Sequence, residues 1–470
     1  MKKTVKYIIL TAVAGAVLAS CQREQLPATA TGDGPRVISV SFADATKTAL
    51  DGIQAKFCAG DIILVSNGEE LEDCKVGLDD SGNAQITTTL KGGLKAVYPS
   101  EAAVHNGYDI DMTQIRVPIA QRGRFKDAHI CTSTIAADGS NAIFANRSAI
   151  LKFYVDKSIG VTSIKVTGAG ENIATGSRTI TVTAPSGTTL ANVTDDPQKR
   201  ICYVAVLPGV NANQLTFKTE ATTQPTLPRT PTTDVTLAAG TLYRAFIPYY
   251  VTIGTRKWGY CNVGAFLPEE AGWYFSWGNI DGYVLDGGTW KKVPGRTAGP
   301  SGGFSGYNND PYKSSEGAKL TANIPVNAQY DAAYVHWGSS WRIATNAEFG
   351  TLCADCGGTG ALTTGGTVDT VAKDIYSCTD YYGVTGALFC DGTNGLFLPA
   401  AGVGQHNAIT PGGLYISSTW QSVSGFYRLD FDIPGSVTNS EPSNRGDGFP
   451  IRPILNDEWH YRDLDDGGTI

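Results

Sequence analysis

Val37-Ile38-Ser39-Val40-Ser41-Phe42 sets Ile38, Val40 and Phe42 against Ser39 and Ser41, an apolar side every second residue. A strand turns successive side chains to opposite faces, so this is the signature of a half-buried antiparallel strand and not of a helix. The pattern returns in Thr179-Ile180-Thr181-Val182-Thr183. Ala149 to Val155 and Ile201 to Leu207 are apolar on both faces apart from Lys152, as central strands of a sandwich are. Asn67-Gly68, Asp138-Gly139 and Ser186-Gly187 supply turns between such runs. Long amphipathic helices are missing from 37 to 250. These residues predict two β-sandwiches in series, 37–155 and 156–250, with a boundary near Asp156.

Composition agrees. Of 470 residues only 17% are charged, Gly numbers 55, and the net charge is −7, which suits a turn-rich β protein and gives no basic surface for nucleic acid. Much of the negative charge lies in an acidic tail, 456–470, read as a solvated terminus. Lys2, Lys3 and Lys6 precede an apolar run, Ile8 to Leu18, too short for a membrane span, so residues 1–20 read as a signal peptide. Leu18-Ala19-Ser20-Cys21 resembles the bacterial lipobox, which implies diacylation of Cys21, its exposure as the mature N-terminus, and attachment to the membrane through lipid. An ordinary signal cut at Ala19 or Ser20 is the alternative. Residues 21–36 read as a polar tether.

Behind that tether, Thr46-Lys47-Thr48-Ala49-Leu50, Phe57-Cys58-Ala59-Gly60-Asp61-Ile62-Ile63-Leu64-Val65, Ala96-Val97-Tyr98-Pro99 and Phe144-Ala145-Asn146-Arg147-Ser148-Ala149-Ile150-Leu151-Lys152-Phe153 follow in order. The set resembles the fimbrillin-like (type V pilus) lipoproteins over about 37–250, with Phe57 where many members have Trp. The resemblance implies a pilus subunit or tip at the outer membrane surface, whose partners are other pilins joined by donor-strand exchange. It also implies proteolysis after an Arg that removes a first strand. Arg23 and Arg36 are the candidates, with ordinary linker arginines the equal alternative.

All eight tryptophans lie at or beyond Trp258, so a different module begins near residue 250. One helix is expected where Thr345-Asn346-Ala347-Glu348 has the form of a capping box. Trp258-Gly259 with Cys261-Asn262-Val263-Gly264-Ala265, Tyr274-Phe275-Ser276-Trp277-Gly278, Asp331 to Thr345, Phe397-Leu398-Pro399-Ala400-Ala401-Gly402 and Gly448-Phe449-Pro450-Ile451-Arg452-Pro453 carry a second resemblance. Residues 251–455 resemble the major paralogous domain family, similar in fold to C-type lectins and the formylglycine-generating enzyme and including retroelement-diversified variable proteins. The overall expectation is therefore mostly β, two tandem fimbrillin-type β-sandwiches followed by an α+β C-type-lectin-like domain.

In such variable proteins the stretch between the Trp420 strand and the final strand binds the target. This implies ligand contact by Trp420, Tyr427, Arg428, Asp430, Asp432, Asn439, Glu441, Asn444 and Asp447, residue types that combine aromatic and Arg area with adaptable polar groups. Of the tryptophans, Trp258, Trp273, Trp277, Trp337 and Trp341 are expected in the framework, and Trp290 and Trp420 at the surface.

Other chemistry finds little support. Glu441-Pro442-Ser443 matches the calcium-binding E-P-N loop of sugar-binding lectins only in part, and no W-N-D strand follows, so calcium is a weak expectation and no other cofactor or metal is expected. The five histidines show no ligand spacing, and His336 is expected to pack in the core. Cys353-Ala354-Asp355-Cys356 is read as two helix cysteines, the alternatives being a redox pair or half a zinc site. Gly299-Pro300-Ser301-Gly302-Gly303 lacks the strand and helix of a nucleophile elbow. Glu269-Glu270 and the tripeptide Arg445-Gly446-Asp447 carry little weight. The expected activity is adhesion through a surface protein or glycan ligand at a pilus tip or minor pilin, without catalysis. A surface carbohydrate-active enzyme or its accessory subunit, and a purely structural pilin, are the alternatives.

Overall fold

In the computed structural model of the protein, the described residues are 34–43, 56–221, 234–293, 297–299, 303–304, 316–325 and 329–456. Cys21, Arg23, the Thr46–Leu50 segment, Pro300, Ser301, Trp459 and the tail from 457 lie outside them.

The architecture is mostly β, as the alternation requires. Arg36–Phe42 buries Ile38, Val40 and Phe42 and turns Val37, Ser39 and Ser41 outward. It runs parallel to Asn141–Asn146 and antiparallel to Ala84–Thr88, in the interior of an eight-stranded path. The path continues through Cys131–Ile135, Leu94–Tyr98 and Ile62–Ser66 to Leu71–Lys75. Its far strands approach each other, since the Thr88 hydroxyl donates to Glu72 at 2.6 Å. Inside lies a separate core of Ile38, Ile63, Val65, Ile86 and Phe144, in which Phe42 stacks on Phe57 at 4.0 Å between ring centroids.

A second pair of sheets follows. One orders Ile201–Val206, Ala149–Tyr154 and Leu242–Arg244; the other orders Leu215–Ala221, Val161–Gly168, Thr179–Thr183 and Ala120–Gln121. Phe153 meets Phe217 edge-on between them at 5.2 Å. Ala149–Tyr154 is buried along its whole length, including Lys152, whose ammonium sits 5.8 Å from the Phe266 ring centroid. The chain crosses the expected 155/156 boundary in two ways. Strand 149–154 pairs within the second set, so the crossover falls near Asn146 and not at 155/156. The connection carrying Ala102, Ile110, Val117, Phe125 and Ile130 also packs into the second core, although strands 131–146 return to the first. Alternation alone cannot reveal such interleaving, because it fixes which face is buried and not which sheet is joined.

In the C-terminal part, Arg256–Gly259 pairs with both Tyr250–Ile253 and Pro453–Leu455, and the latter pairs with Trp341–Ile343. The first and last strands of this part thus close on each other. Asn346–Asp355 is the expected helix, and its capping box is complete: the Thr345 hydroxyl accepts from the Glu348 N–H while Glu348 accepts from the Thr345 N–H. Ala332–Trp337 is a short helix that periodicity did not suggest, and its signal is the N-cap Asp331 accepting from Tyr334 N–H. Trp258, Trp277, Trp337 and Trp341 are buried as framework residues, and Trp273 is half-buried. Trp290, expected at the surface, is 1% exposed. Its N–H donates to the His406 carbonyl, and its ring rests edge-on against Phe304 at 4.7 Å. Gly404 makes the space: a Cβ there would come within 2.7 Å of the indole.

One continuous apolar core extends from the second pair of sheets into the C-terminal part, joining Phe153, Tyr154 and Val204 to Trp258, Phe266 and Leu398. At that junction the Arg200 guanidinium, 2% exposed, donates to both oxygens of Glu269 at 2.8 Å. It also lies 3.7 Å over the Tyr382 ring and 5.2 Å from the Tyr154 ring. Burial opposes its charge, but the Glu269 pair more than offsets this and holds the proton firmly. Arg244–Glu270 at 2.9 Å and Lys157–Asp369 at 2.6 Å flank it. Glu269 and Glu270 therefore serve two different arginines and do not form a carboxylate pair facing one cleft.

Candidate functional site

The strand Gly413–Trp420 forms the floor of the site. Its register with Gly425–Phe431 is irregular between Ile416 and Trp420, so backbone groups there are released to other partners. Ser418 N–H donates to Ala344 O at 2.8 Å, and Ser418 O accepts from Ile324 N–H at 2.9 Å. Thr419 Oγ1 accepts from Asn346 N–H, and Trp420 N–H donates to Asn323 Oδ1, both at 2.9 Å. The strand end is thereby tied to the loop 321–325 on one side and to the start of helix Asn346–Asp355 on the other.

Between these walls is an open cleft of about 800 Å³, lined among others by Arg256, Thr321, Asn323, Asp331, Arg342, Thr345, Glu348 and Trp420. This size is typical of pockets that hold small molecules or the end of a larger ligand. Its charges are arranged in advance. Arg342 grips Glu348 through two bonds, 2.7 and 2.6 Å, and Arg256 stands 4.0 Å from the same carboxylate. Burial disfavours the Glu348 anion, yet Arg342 and Thr345 outweigh it and hold the carboxyl below its usual range. Asp331 accepts from the N–H groups of Ile343 and Tyr334. Burial nevertheless dominates and raises its pKa to about 6. The indole N–H of Trp420 is buried and has no hydrogen-bond partner among the described residues.

The residues expected to contact ligand separate into groups. Trp420, half-buried, is part of the cleft wall. Asn439 donates to Asn346 O at 3.0 Å at the start of the helix. Arg428 and Asp430 share one face of strand 425–431, where the guanidinium donates to Asp430 at 2.6 Å and to Pro442 O at 2.8 Å. Alternation places Tyr427 on the opposite face, half-buried. Asp432, Glu441 and Asn444 are exposed. Asp447 is buried and accepts from Gln405 at 3.0 Å, so its carboxylate is directed into packing and away from the cleft.

The tripeptide beginning at Arg445 is likewise inaccessible as a recognition motif. Arg445 is 0% exposed, lies 4.2 Å over the Trp277 ring, and donates to Gly317, Leu320 and Val423 carbonyls. At the N-terminal end, Arg36 opens the first described strand and donates to Gly92 and Gly139 carbonyls. A cut after Arg36 would leave Val37–Phe42 attached, so it would not vacate that strand's place in the sheet. His336 packs as expected, edge-on to Trp273, with Nε2 2.8 Å from Ile280 O. Among the described residues no group of three or more His, Cys, Asp or Glu is placed to hold a metal ion.

Sequence reasoning missed Arg256, Asn323 and Asp331 as cleft residues and saw Glu348 only as a cap. They come from four segments, and only the closure of the last strand on the first assembles them. The capping-box Glu348 and the nearby Arg342 were the available signal.

No family model matches the chain, and no curated protein matches it. Among solved structures it is similar to a fimbrial protein from Bacteroides ovatus, at 11% identity, with a TM-score of 0.27, covering 90% of this chain and 99% of that one. It is also similar to a "putative cell adhesion protein" from Bacteroides uniformis, at 12% identity and a TM-score of 0.26, covering 45% of this chain and 91% of that one. Matches of this strength fix neither family nor function.

Proposed function

We propose that the protein is a lipid-anchored cell-surface adhesin, a pilus tip or minor pilin, whose C-terminal part has a lectin-type fold and binds a ligand on another cell or matrix. The observation that carries this reading is the cleft walled by Trp420, set on a part fastened to the sandwich beneath it through Arg200 and a shared core. A rigid base with a preorganised recess suits recognition, because little ordering is left to be done on binding. The carboxyl groups in the recess are held in place, Asp331 by backbone N–H groups and Glu348 by Arg342, so the recess is shaped before a ligand arrives. Arg428, Asp430 and the exposed residues 432, 441 and 444 form the flank where a large ligand would continue.

The test is retention of full-length protein on an array of surface glycans and matrix proteins, comparing wild type with Trp420→Ala and with Arg428→Ala/Asp430→Ala. Loss in the first variant, with a smaller loss in the second, supports the reading. No retained ligand for wild type, or equal retention by both variants, overturns it.

A further inference from the structure

We infer that the cleft at Trp420 takes an uncharged saccharide and does so without calcium; this rests on the adhesin reading above and specifies its ligand. The charge arrangement comes first. The fork of Arg342 and the start of helix Asn346–Asp355, the places where an anion would bind, are already filled by the Glu348 carboxylate at 2.6 and 2.7 Å. A phosphate, sulfate or carboxylate ligand would have to displace that buried anion. A cationic ligand would meet Arg256 and Arg342. Two guanidinium groups and two carboxylates, Asp331 and Glu348, balance within the recess, so a ligand without net charge enters at the least electrostatic cost.

The remaining surface selects among uncharged ligands. Trp420 is half-buried in the cleft wall and gives it a large apolar ring surface, while its indole N–H lies beneath that surface. Asn323 and Thr321 are exposed on the facing loop, and the Asn323 side-chain oxygen already accepts from the Trp420 backbone N–H, which leaves the amide nitrogen as the donor for a ligand. Hydroxyl oxygens around a ring with apolar C–H faces meet all of these requirements at once. A hydrocarbon would leave the exposed Thr321 and Asn323 side chains without partners. A volume near 800 Å³ admits more than a single ring, so the ligand is the end of an oligosaccharide.

The experiment uses the full-length chain in EDTA against immobilised neutral oligosaccharides of gluco, galacto, manno and fuco type, with sialylated and sulfated counterparts beside them. Trp420→Ala, Trp420→Phe and Asn323→Ala are run in parallel, each first shown to unfold cooperatively above the assay temperature. The inference expects at least one neutral glycan to be retained in EDTA, a loss of about tenfold or more for Trp420→Ala, and a smaller loss for Trp420→Phe, which keeps an aromatic ring of smaller area. Retention of acidic glycans alone, a requirement for calcium, no retained saccharide, or binding unchanged in Trp420→Ala would each overturn it. The same proteins on matrix-protein surfaces separate the two levels. Protein binding lost in Trp420→Ala with no neutral glycan retained removes the saccharide and leaves the adhesin reading; no effect of Trp420→Ala on any ligand removes both.

Discussion

Replacing Arg200 by Ala should destabilise a part of the protein to which Arg200 does not belong in sequence. The guanidinium sits between the second sandwich and the C-terminal part, with two 2.8 Å bonds to Glu269 and a face on Tyr382. Its side chain is 2% exposed and that of Glu269 11%, so removing the cation strands a carboxylate in a dry environment. Breaking a buried pair in this way costs about 3–5 kcal/mol, whereas replacing both members by apolar residues of similar volume is close to neutral. Arg200→Ala and Glu269→Ala should therefore each lose about 3–5 kcal/mol. Arg200→Met/Glu269→Leu should recover part of it, because Asp156, 3.7 Å from Arg200 Nε, also loses that cation and keeps only its bonds from Ser158. The assay is built into the sequence. All eight tryptophans lie at or beyond Trp258, so indole fluorescence during urea unfolding reports the C-terminal part alone. A lower fluorescence midpoint in Arg200→Ala shows that the two parts unfold as one body. An unchanged midpoint, or a double variant as unstable as the two single losses added together, would refute the reasoning.

Three further outcomes are expected. Asp331 binds its proton more readily when folded, near pH 6, than at the ordinary value of 3.8, so its contribution to stability rises as pH falls from 6 to 4 and is lost as pH rises through 6. The stability of Asp331→Asn relative to wild type should fall by about 2 kcal/mol from pH 7 to pH 4 in urea titrations, and a pH-independent difference would contradict this. Glu348→Gln removes the charge that Arg342 grips and weakens the capping box, so a loss of about 3–5 kcal/mol is expected, with Glu348→Asp too short to restore it. Among the described cysteines only Cys58 is exposed, and burial pushes the Cys353 thiol up to about 12, so iodoacetamide at pH 8 should label Cys58 and reach Cys353 and Cys356 only after denaturation.

Strand positions were legible because alternation is a local consequence of backbone geometry. Ile38, Val40 and Phe42, and the doubly buried run 149–154, sit inside as their pattern required. The helix start at Thr345 was legible for a similar reason, since its cap is written within four residues. Pairing between distant segments was not. The parallel neighbour of Arg36–Phe42 comes a hundred residues later, and nothing in either strand specifies the other. Trp290 looked like a surface residue because the Gly404 that admits its ring is far away in sequence. The cleft shows the same limit: Trp420 was identifiable from its place before a polar stretch, while Arg256, Asn323 and Asp331 gain meaning only once strand 453–455 closes against 256–259 and 341–343. Asp447 and Arg445 have recognition chemistry but are turned inward, which side-chain type alone cannot disclose.

The central claim is that recognition is seated in the cleft and extends only secondarily along the outer polar stretch. Its most direct test measures the affinity of full-length protein for whichever array ligand it retains, after Trp420→Ala and, separately, after Glu441→Ala/Asn444→Ala at exposed positions. The account predicts a loss of about tenfold or more for Trp420→Ala in protein that still unfolds cooperatively above the assay temperature, and at most a few-fold loss for the outer pair. Equal affinity of Trp420→Ala and wild type, or a larger loss from the outer pair, would contradict it.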